Sequence, residues 1–200
     1  MRMINRGWQY TVYDLGNGRV LKKINSRFVS YLMMLHDSFP YIKHPVWKFP
    51  GYFARCRRDA ALSMKAVSQT SIESWKLGNP KVLDELSYEQ DKMVPLKEYW
   101  KAVGLDESQR VIDDFVSLCE FLVANSLVDK NFNIGENFAI DSQGRVILED
   151  LGELYFQTDM IAEQLKKRPW ADYDNTHIVP RELRSYFVGR MDEAFFSRRK

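Results

Sequence analysis

Cysteine and histidine are scarce in this chain. Its 200 residues include two cysteines, Cys56 and Cys119, and three histidines, His36, His44 and His177. Two cysteines far apart in sequence form no disulfide framework, which excludes a small disulfide-stapled secreted domain and favours a reducing compartment. The histidines have none of the close spacings of zinc ligands, so the sequence predicts no zinc site.

The chain also lacks a strong charge excess and a long apolar run. Its formal net charge is +2, which is too small to predict nucleic-acid binding, and we expect the basic residues 198–200 to be solvated. No run approaches the roughly 20 apolar residues of a membrane-spanning helix. The first ten residues lack the apolar stretch of a signal peptide. We therefore expect a cytoplasmic protein with no nucleic-acid partner and no membrane span.

The overall composition is that of a globular protein. The first part of the chain contains a sequence pattern typical of a β-hairpin. Hydrophobic residues make up 45% and charged residues 28%, which suffices for a core. Residues 8–14 and 19–24 are β-prone and flank Gly16-Asn17-Gly18, a strong hairpin signal. A helix capped by Ser26 would place Phe28 on an apolar face. Helices are predicted at 26–36 and 55–67, an irregular segment at 37–53, and strands at 81–86 and 87–94.

The second half of the chain is mostly helical. Its clearest helix spans residues 107–125, with Asp106 and Gln109 in the positions of a capping box. Two strands flank a turn at residues 141–144. The strands are predicted at 138–140 and 145–148, further helices at 96–103, 159–167 and 180–197, and a loop at 169–175. This order predicts an α+β fold with a β-rich N-terminal domain, residues 1–94, and a helical C-terminal domain, residues 95–200.

Two polar residues flank the hairpin of the second half. Asn137 precedes its first strand and Asp150 follows its second strand. A hairpin brings its two outer ends together, so the side chains should be neighbours. Amide and carboxylate oxygens are hard ligands of the kind that Mg²⁺ prefers. The alternative is that both are ordinary residues at strand ends, where Asn and Asp are common.

The run GENFAIDSQGRVILEDLGE, residues 135–153, resembles the stretch of the protein-kinase-like superfamily from the catalytic-loop Asn to the Asp-x-Gly motif. The order is an Asn, a strand, a turn, a second strand and then Asp150-Leu151-Gly152. The interval of thirteen residues from Asn137 to Asp150 agrees with the family spacing. The chain resembles small bacterial kinase-like proteins related to sugar and lipopolysaccharide-core kinases more than it resembles eukaryotic signalling kinases. The resemblance implies a protein-kinase-like fold in which Asn137 and Asp150 bind Mg²⁺.

Weaker similarities extend to the first half of the chain. Gly7 and Val12 resemble the remains of a glycine-rich loop, and Lys22 resembles the phosphate-binding lysine of the following strand. Strand alternation lets only one of Lys22 and Lys23 face inward, and either could be an exposed hairpin residue. Gln90 and Met93 stand where the family holds an adenine ring. The resemblance thus implies ATP and Mg²⁺ as cofactors in a cleft between two lobes.

The catalytic loop departs from the family pattern. The family's catalytic Asp stands five residues before the Asn, where this chain has Phe132, and Ile134 replaces the lysine expected two residues later. Asp129, eight residues before Asn137, could serve as general base through a different loop path. Its alternative role is that of a loop residue after the long helix.

Three functions therefore stay open. The first is a kinase-like transferase that passes a phosphoryl group from ATP to an unknown small-molecule or protein acceptor. The second is a pseudokinase, a binding or regulatory module without catalysis, which the Phe132 departure favours. The third is an α+β protein with no ligand.

Overall fold

The computed structural model describes residues 1–7, 9–38 and 46–196. By internal contacts the chain divides into two compact units. The first comprises Met1–Thr70 and Asn79–Lys92, and the second comprises Ser71–Gly78 and Met93–Lys200. Trp8, much of the predicted irregular segment at 37–53, residue 197 and the basic residues 198–200 lie outside the described residues.

A five-stranded antiparallel sheet in the order β1-β2-β3-β5-β4 forms the first unit's framework. Its strands are β1 (Arg2–Arg6), β2 (Tyr10–Asp14), β3 (Arg19–Ile24), β4 (Lys81–Asp84) and β5 (Ser87–Asp91). The predicted hairpin is confirmed as β2 and β3. Gly16 and Gly18 both have positive φ, +81° and +78°, which only glycine adopts without strain. The sequence did not predict β1, whose residues are all exposed.

The described residues of the first unit also form the α-helices α1 (Arg27–Ser38) and α2 (Phe49–Gln69) and a 3₁₀ helix, Val46–Lys48. The predicted start of α2 at residue 55 is wrong. The helix begins six residues earlier and contains Pro50 in its first turn. A proline is compatible with that position, because its missing N–H would make no helical hydrogen bond there. The predicted apolar face of α1 is also not buried: Phe28 is exposed and so is Leu32.

The second unit is mostly helical. Its helices are α3 (Leu96–Tyr99), α4 (Leu105–Ala124), α5 (Thr158–Lys166), α6 (Tyr173–Thr176) and α7 (Arg184–Phe196). The predicted α+β fold class, with a β-rich first part and a mostly helical second part, is confirmed. The loop predicted at 169–175 instead holds α6 and the 3₁₀ helix Pro169–Ala171. No helix within the described ranges combines the length and the apolar character needed to cross a bilayer.

The long helix α4 carries the core of this unit. Its buried face repeats at helical spacing and includes Val111, Ile112, Phe115, Leu118, Cys119 and Leu122. The predicted capping box of Asp106 and Gln109 is wrong, because the helix begins at Leu105 and its N-cap is Gly104, which has no side chain to cap with. Asp106 instead lies in the first turn, where its negative charge faces the positive end of the helix dipole.

Short strands position the candidate site. β8 (Phe138–Ile140) and β9 (Val146–Leu148) form the predicted hairpin, and β6 (Val94–Pro95) pairs with β8. The turn is closed by Asp141, whose Oδ1 accepts the N–H groups of Gln143 and Arg145. A separate two-stranded ladder pairs β7 (Val128–Asp129) with β10 (Leu154–Tyr155).

The segment Ser71–Gly78 packs with the second unit although it precedes β4. Two cations lie close to the ring of Trp75, with Lys76 Nζ 3.8 Å and Arg145 Cζ 3.9 Å from its centroid. The Arg145 contact links the segment to the β8–β9 hairpin. The predicted domain boundary between residues 94 and 95 stays a prediction, because a division by internal contacts does not show which segments fold independently.

Candidate functional site

The outer ends of the β8–β9 hairpin meet, as the spacing predicts. The carbonyl oxygen of Asn137 accepts two backbone hydrogen bonds, from the N–H of Glu149 at 2.8 Å and of Asp150 at 3.0 Å. Both residues are half-buried. Asn137 and Asp150 are therefore held together by the backbone itself, at one end of the hairpin.

Asp129 joins this pair through a side-chain contact. Its Oδ1 accepts a hydrogen bond from Nδ2 of Asn137 at 2.8 Å. Its Oδ2 accepts the backbone N–H groups of Asn131 at 3.2 Å and Asn133 at 3.1 Å. Because the β7–β10 ladder pairs Asp129 with Leu154, four residues after Asp150, the ladder fixes this approach. Asp129 thus organises the loop that leads to Asn137.

The charge state of Asp129 is unusual. The residue is 2% exposed, and burial raises the pKa of its carboxyl to about 7 from an ordinary value of 3.8. The hydrogen bonds from Asn137 and Asn133 oppose this shift, and the nearby charges of Asp150 and Glu153 add to it. A carboxyl with a pKa near neutrality can both take up and release a proton under ordinary conditions.

The oxygen atoms of this cluster fit Mg²⁺. Asp150 is half-buried, and its Oδ1 accepts the N–H of Gly152 at 2.9 Å, which fixes the Asp-x-Gly turn. Mg²⁺ keeps several waters and needs one or two protein carboxylates. In the described part of the chain, no group of three or more His, Cys, Asp or Glu residues could hold a metal ion. Asn137 and Asp150 offer one amide oxygen and one carboxylate, which are oxygen ligands of the kind that Mg²⁺ prefers.

The positions where the family carries its Asp and Lys belong to the core here. Phe132 is fully buried, and its ring packs edge-to-face against Trp170 at 5.5 Å and against Phe195 at 6.2 Å between ring centroids. It has a φ of +49°, which is uncommon for a bulky residue. Ile134 is buried as well. Phe132 and Ile134 stabilise the loop and cannot exchange a proton.

The sheet of the first unit brings three other predicted residues onto one face. Val12 pairs directly with Lys22, Lys22 pairs with Tyr88, and Val20 pairs with Gln90. Directly opposed residues of an antiparallel sheet share a face, and so do residues two apart on one strand, such as Val20 and Lys22. Val12, Lys22 and Gln90 therefore lie on the same face of the sheet. Lys22 is buried and Lys23 is exposed, as the prediction of an inward Lys22 requires. Nζ of Lys22 lies 5.9 Å from the centroid of the Tyr88 ring.

The turn between β1 and β2 contains Gly7 and is held by a residue that the sequence did not reveal. Nδ2 of Asn25 donates to the Gly7 carbonyl at 2.7 Å, and the Asn25 backbone N–H donates to the Gln9 carbonyl at 2.8 Å. A Cβ at Gly7 would meet only the Tyr10 carbonyl at 3.8 Å, so the fold does not itself require glycine there. An Asn directly after a strand was the available signal for this contact.

Met93 lies between β5 and β6 and is half-buried. Its role in contacting an adenine ring stays a prediction.

Comparison with known proteins gives one sequence relative of note. No protein-family model matches the chain. The isocitrate dehydrogenase kinase/phosphatase of Idiomarina loihiensis is 24% identical over 140 residues, which is 65% of this chain. The chain resembles kinase-like proteins. It spans 24% of the length of that relative, so the match concerns a part of a larger protein.

Solved structures with similar folds have low sequence identity. WbdD is 13% identical with a TM-score of 0.49, and the match covers 97% of this chain and 45% of WbdD. Another structure of WbdD, a bifunctional kinase-methyltransferase, gives a TM-score of 0.45 at 12% identity, over 92% of this chain and 42% of that one. Rv3197 from Mycobacterium tuberculosis, in complex with erythromycin, is 13% identical with a TM-score of 0.48. The match covers 80% of this chain and 46% of Rv3197.

Proposed function

We propose that this protein binds ATP with Mg²⁺ and acts as a kinase-like phosphotransferase on a small-molecule or protein acceptor. The observation that carries the proposal is the cluster of Asp129, Asn137 and Asp150, which the hairpin and the β7–β10 ladder hold together. Oxygen ligands for a metal support phosphoryl transfer by positioning and neutralising the phosphates, and a nearby carboxyl with a pKa near neutrality can add general-base help.

Asn137 and Asp150 would hold the metal. Because Nδ2 of Asn137 donates to Asp129, the amide oxygen Oδ1 is the atom left to face a cation. Asp150 supplies a negative oxygen on a turn that the Gly152 N–H stabilises. When bound, Mg²⁺ would neutralise negative charge on the phosphates. The contribution of the chain is to keep both oxygens in position before the ligand arrives.

Residues of the first unit would bind the nucleotide itself. Lys22 carries a buried ammonium group on the same sheet face as Val12 and Gln90, where it could pair with phosphate oxygens. Gln90 has amide groups suited to hydrogen bonding with an adenine ring, and Val12 offers an apolar contact. Gly7 would allow the backbone to approach a phosphate, and Met93 would contact the adenine.

Asp129 would act as the general base. Its pKa of about 7 lies where a base accepts a proton from an acceptor hydroxyl without being protonated permanently. Three N–H donors already orient its oxygens. The acceptor would have to reach Asp129 through a loop that moves, because the carboxyl is 2% exposed.

A second candidate is a pseudokinase that binds the nucleotide without catalysis. The specific observation in its favour is that Phe132 forms part of an aromatic core with Trp170 and Phe195. No acid can replace it there without loss of that packing. In this case Asp129 would only position Asn137, and the protein would serve as a nucleotide-dependent binding or regulatory module.

Thermal unfolding with ATP tests the proposal. A ligand at one hundred times its dissociation constant adds about 2.7 kcal/mol to the free energy of unfolding, which raises the Tm of a chain this long by roughly 5 to 11 °C. We expect this rise with ATP and Mg²⁺ together and a smaller rise with ATP and EDTA. Asp150→Ala should lose the part that depends on Mg²⁺.

The control variant is Asp106→Ala, which removes the same charge from an exposed position in α4. It should retain the full response to ATP and Mg²⁺. If millimolar ATP with Mg²⁺ leaves the wild-type melting curve unchanged, nucleotide binding is wrong for both candidates. If binding is present, transfer of label from γ-³²P-ATP to protein or to water separates the transferase from the pseudokinase.

A further inference from the structure

A small cavity in the first unit lies at the N-terminal end of α1. None of the residues assigned to nucleotide binding lines it, although Asn25 of its lining donates to the carbonyl of Gly7. Its lining includes Gln9, Asn25, Arg27, Ser30 and Arg57. The centre of a water-sized atom has about 10 Å³ available in this open cavity, which is close to the minimum for one water molecule. The cavity can therefore admit one atom of a ligand whose remaining atoms stay at the mouth.

Gln9 gives the cavity a donor that lacks a protein acceptor. The residue is 8% exposed, and its Nε2 is buried without a hydrogen-bond partner among the residues that the structure describes. Buried amide donors are almost always satisfied, by protein groups or by a bound molecule. The position of Gln9 in the lining thus indicates an occupant that accepts a hydrogen bond.

The charges around the cavity indicate that the occupant is an anion. Arg27 and Arg57 line it, and no Asp or Glu is among its lining residues. The first turn of the twelve-residue helix α1 contains no acidic residue. No carboxylate of that turn therefore neutralises the positive end of the helix dipole. Arg57 uses Nη1 to donate to the Asn25 carbonyl at 3.1 Å and has further N–H donors.

We propose that this cavity binds a small oxyanion of the phosphate class. One oxygen would enter the cavity and accept the N–H of Gln9 Nε2, and the guanidinium groups of Arg27 and Arg57 would bind the other oxygens. Water could satisfy Gln9 but would not engage the guanidinium groups of Arg27 and Arg57 that line the same cavity. Arg57 also borders a neighbouring pocket that Asp84 and Glu85 line. A doubly charged oxyanion satisfies all of these donors together.

Occupancy would also affect the turn between β1 and β2. Gln9 belongs to that turn, and its carbonyl is bound by Asn25, which lines the same cavity. An anion bound to Gln9 would therefore stabilise the turn from within the first unit. We expect slower amide hydrogen exchange at Gly7 and Tyr10 when the anion is bound.

The test is a titration with inorganic phosphate, without Mg²⁺ and at constant ionic strength set with chloride. Thermal unfolding of wild type should show a Tm rise that saturates, unlike the non-saturating effect of a kosmotropic salt. Gln9→Leu, which keeps the size and removes the donor, should fold as stably as wild type without phosphate and lose the saturable rise. Arg27→Gln should weaken phosphate binding at least tenfold. The matched control is Arg58→Gln, the same charge change at an exposed position of α2.

Each outcome decides the inference. A wild-type Tm that shows no saturable response, or a Gln9→Leu variant that keeps the wild-type response, overturns it. Lys22→Met, which removes the ammonium group proposed to bind phosphate at the nucleotide site, should leave the phosphate response intact. If Lys22→Met abolishes that response instead, phosphate binds at the proposed nucleotide site, which overturns this inference and supports the proposed function. The two proposals therefore fail separately.

Discussion

Nδ2 of Asn137 donates a hydrogen bond to Oδ1 of Asp129 over 2.8 Å. This contact fixes the orientation of the Asn137 amide and leaves its oxygen on the opposite side, where a cation could bind. It also links the proposed metal ligand to the proposed base. A change at Asp129 can therefore act on proton transfer, on the Asn137 side chain, or on both, and the experiments must separate these effects.

Asp129→Asn removes the ionisable carboxyl and keeps one side-chain oxygen that can accept the N–H of Asn137. Its NH₂ group then replaces the oxygen that accepts the N–H groups of Asn131 and Asn133, so the thermal stability of the variant is measured beside its activity. If the protein is a transferase with Asp129 as its base, transfer of label from γ-³²P-ATP should fall by roughly 10²- to 10⁴-fold. The dissociation constant for ATP with Mg²⁺ should stay unchanged. A pseudokinase shows no transfer in wild type. A substantial rate that does not respond to Asp129→Asn would show that the assignment of the base is wrong while phosphoryl transfer remains.

The raised pKa of Asp129 predicts a pH dependence of stability. Between pH 3.8 and about 7 the unfolded chain has lost the Asp129 proton and the folded chain retains it. The folded state binds more protons in this window, so the free energy of unfolding falls as pH rises, by up to about 4 kcal/mol from this group.

Urea unfolding in EDTA at several pH values measures this effect. Other carboxylates and histidines also titrate, so the informative quantity is the difference between wild type and Asp129→Asn. The free energy of unfolding of wild type relative to Asp129→Asn should fall steadily from pH 4 to pH 7 and stay constant at higher pH. A difference that does not vary with pH would contradict a raised pKa.

Gly135, two residues before Asn137, is predicted to tolerate no side chain. A Cβ at this position would collide with Cγ2 of Ile178 and lie 3.0 Å from its Cδ1. Because Cγ2 belongs to a β-branched side chain with little freedom to move, Gly135→Ala should lower the free energy of unfolding by about 1 to 3 kcal/mol.

A double-mutant cycle checks the cause of that loss. Ile178→Ala removes the methyl groups that Gly135→Ala would strike. The double variant should be more stable than the sum of the two single effects predicts, by about 1 kcal/mol or more. Strictly additive effects would mean that the loss at Gly135 has another origin.

Trp170 should be the most sensitive position of the aromatic cluster that contains Phe132. Its side chain is fully buried and its Nε1 donates to Asp192 Oδ1 at 3.1 Å. Trp170→Ala should cost about 3 to 5 kcal/mol in urea unfolding. The matched control is Trp47→Ala at a residue that is 77% exposed, where we expect a change within about 0.5 kcal/mol. Equal effects at both positions would exclude the cluster as a major source of stability.

Local patterns in the sequence predicted the parts of the site that depend on neighbouring residues. The proximity of Asn137 and Asp150 follows from a hairpin, whose two strands are close in sequence and whose turn is encoded by residues 141–144. Strand alternation predicted that only one of Lys22 and Lys23 faces inward, and the structure shows that it is Lys22. The core face of α4 follows from helical periodicity. In each case the determining interactions span a few residues, so their spacing is visible in the chain.

The tertiary structure alone decided the features that depend on distant residues. Asp129 reaches Asn137 because β7 pairs with β10, a ladder of two residues per strand that leaves no periodic signal. The exposure of Phe28 in α1 and the packing of Trp75 with Arg145 likewise depend on which surfaces meet in the folded chain. The sequence by itself determined the hairpin, the sheet alternation and the identity of the metal-ligand candidates. Folding decided which acid lies beside them and left Phe132 in the core, because burial and long-range pairing are properties of the whole chain and not of any short stretch of it.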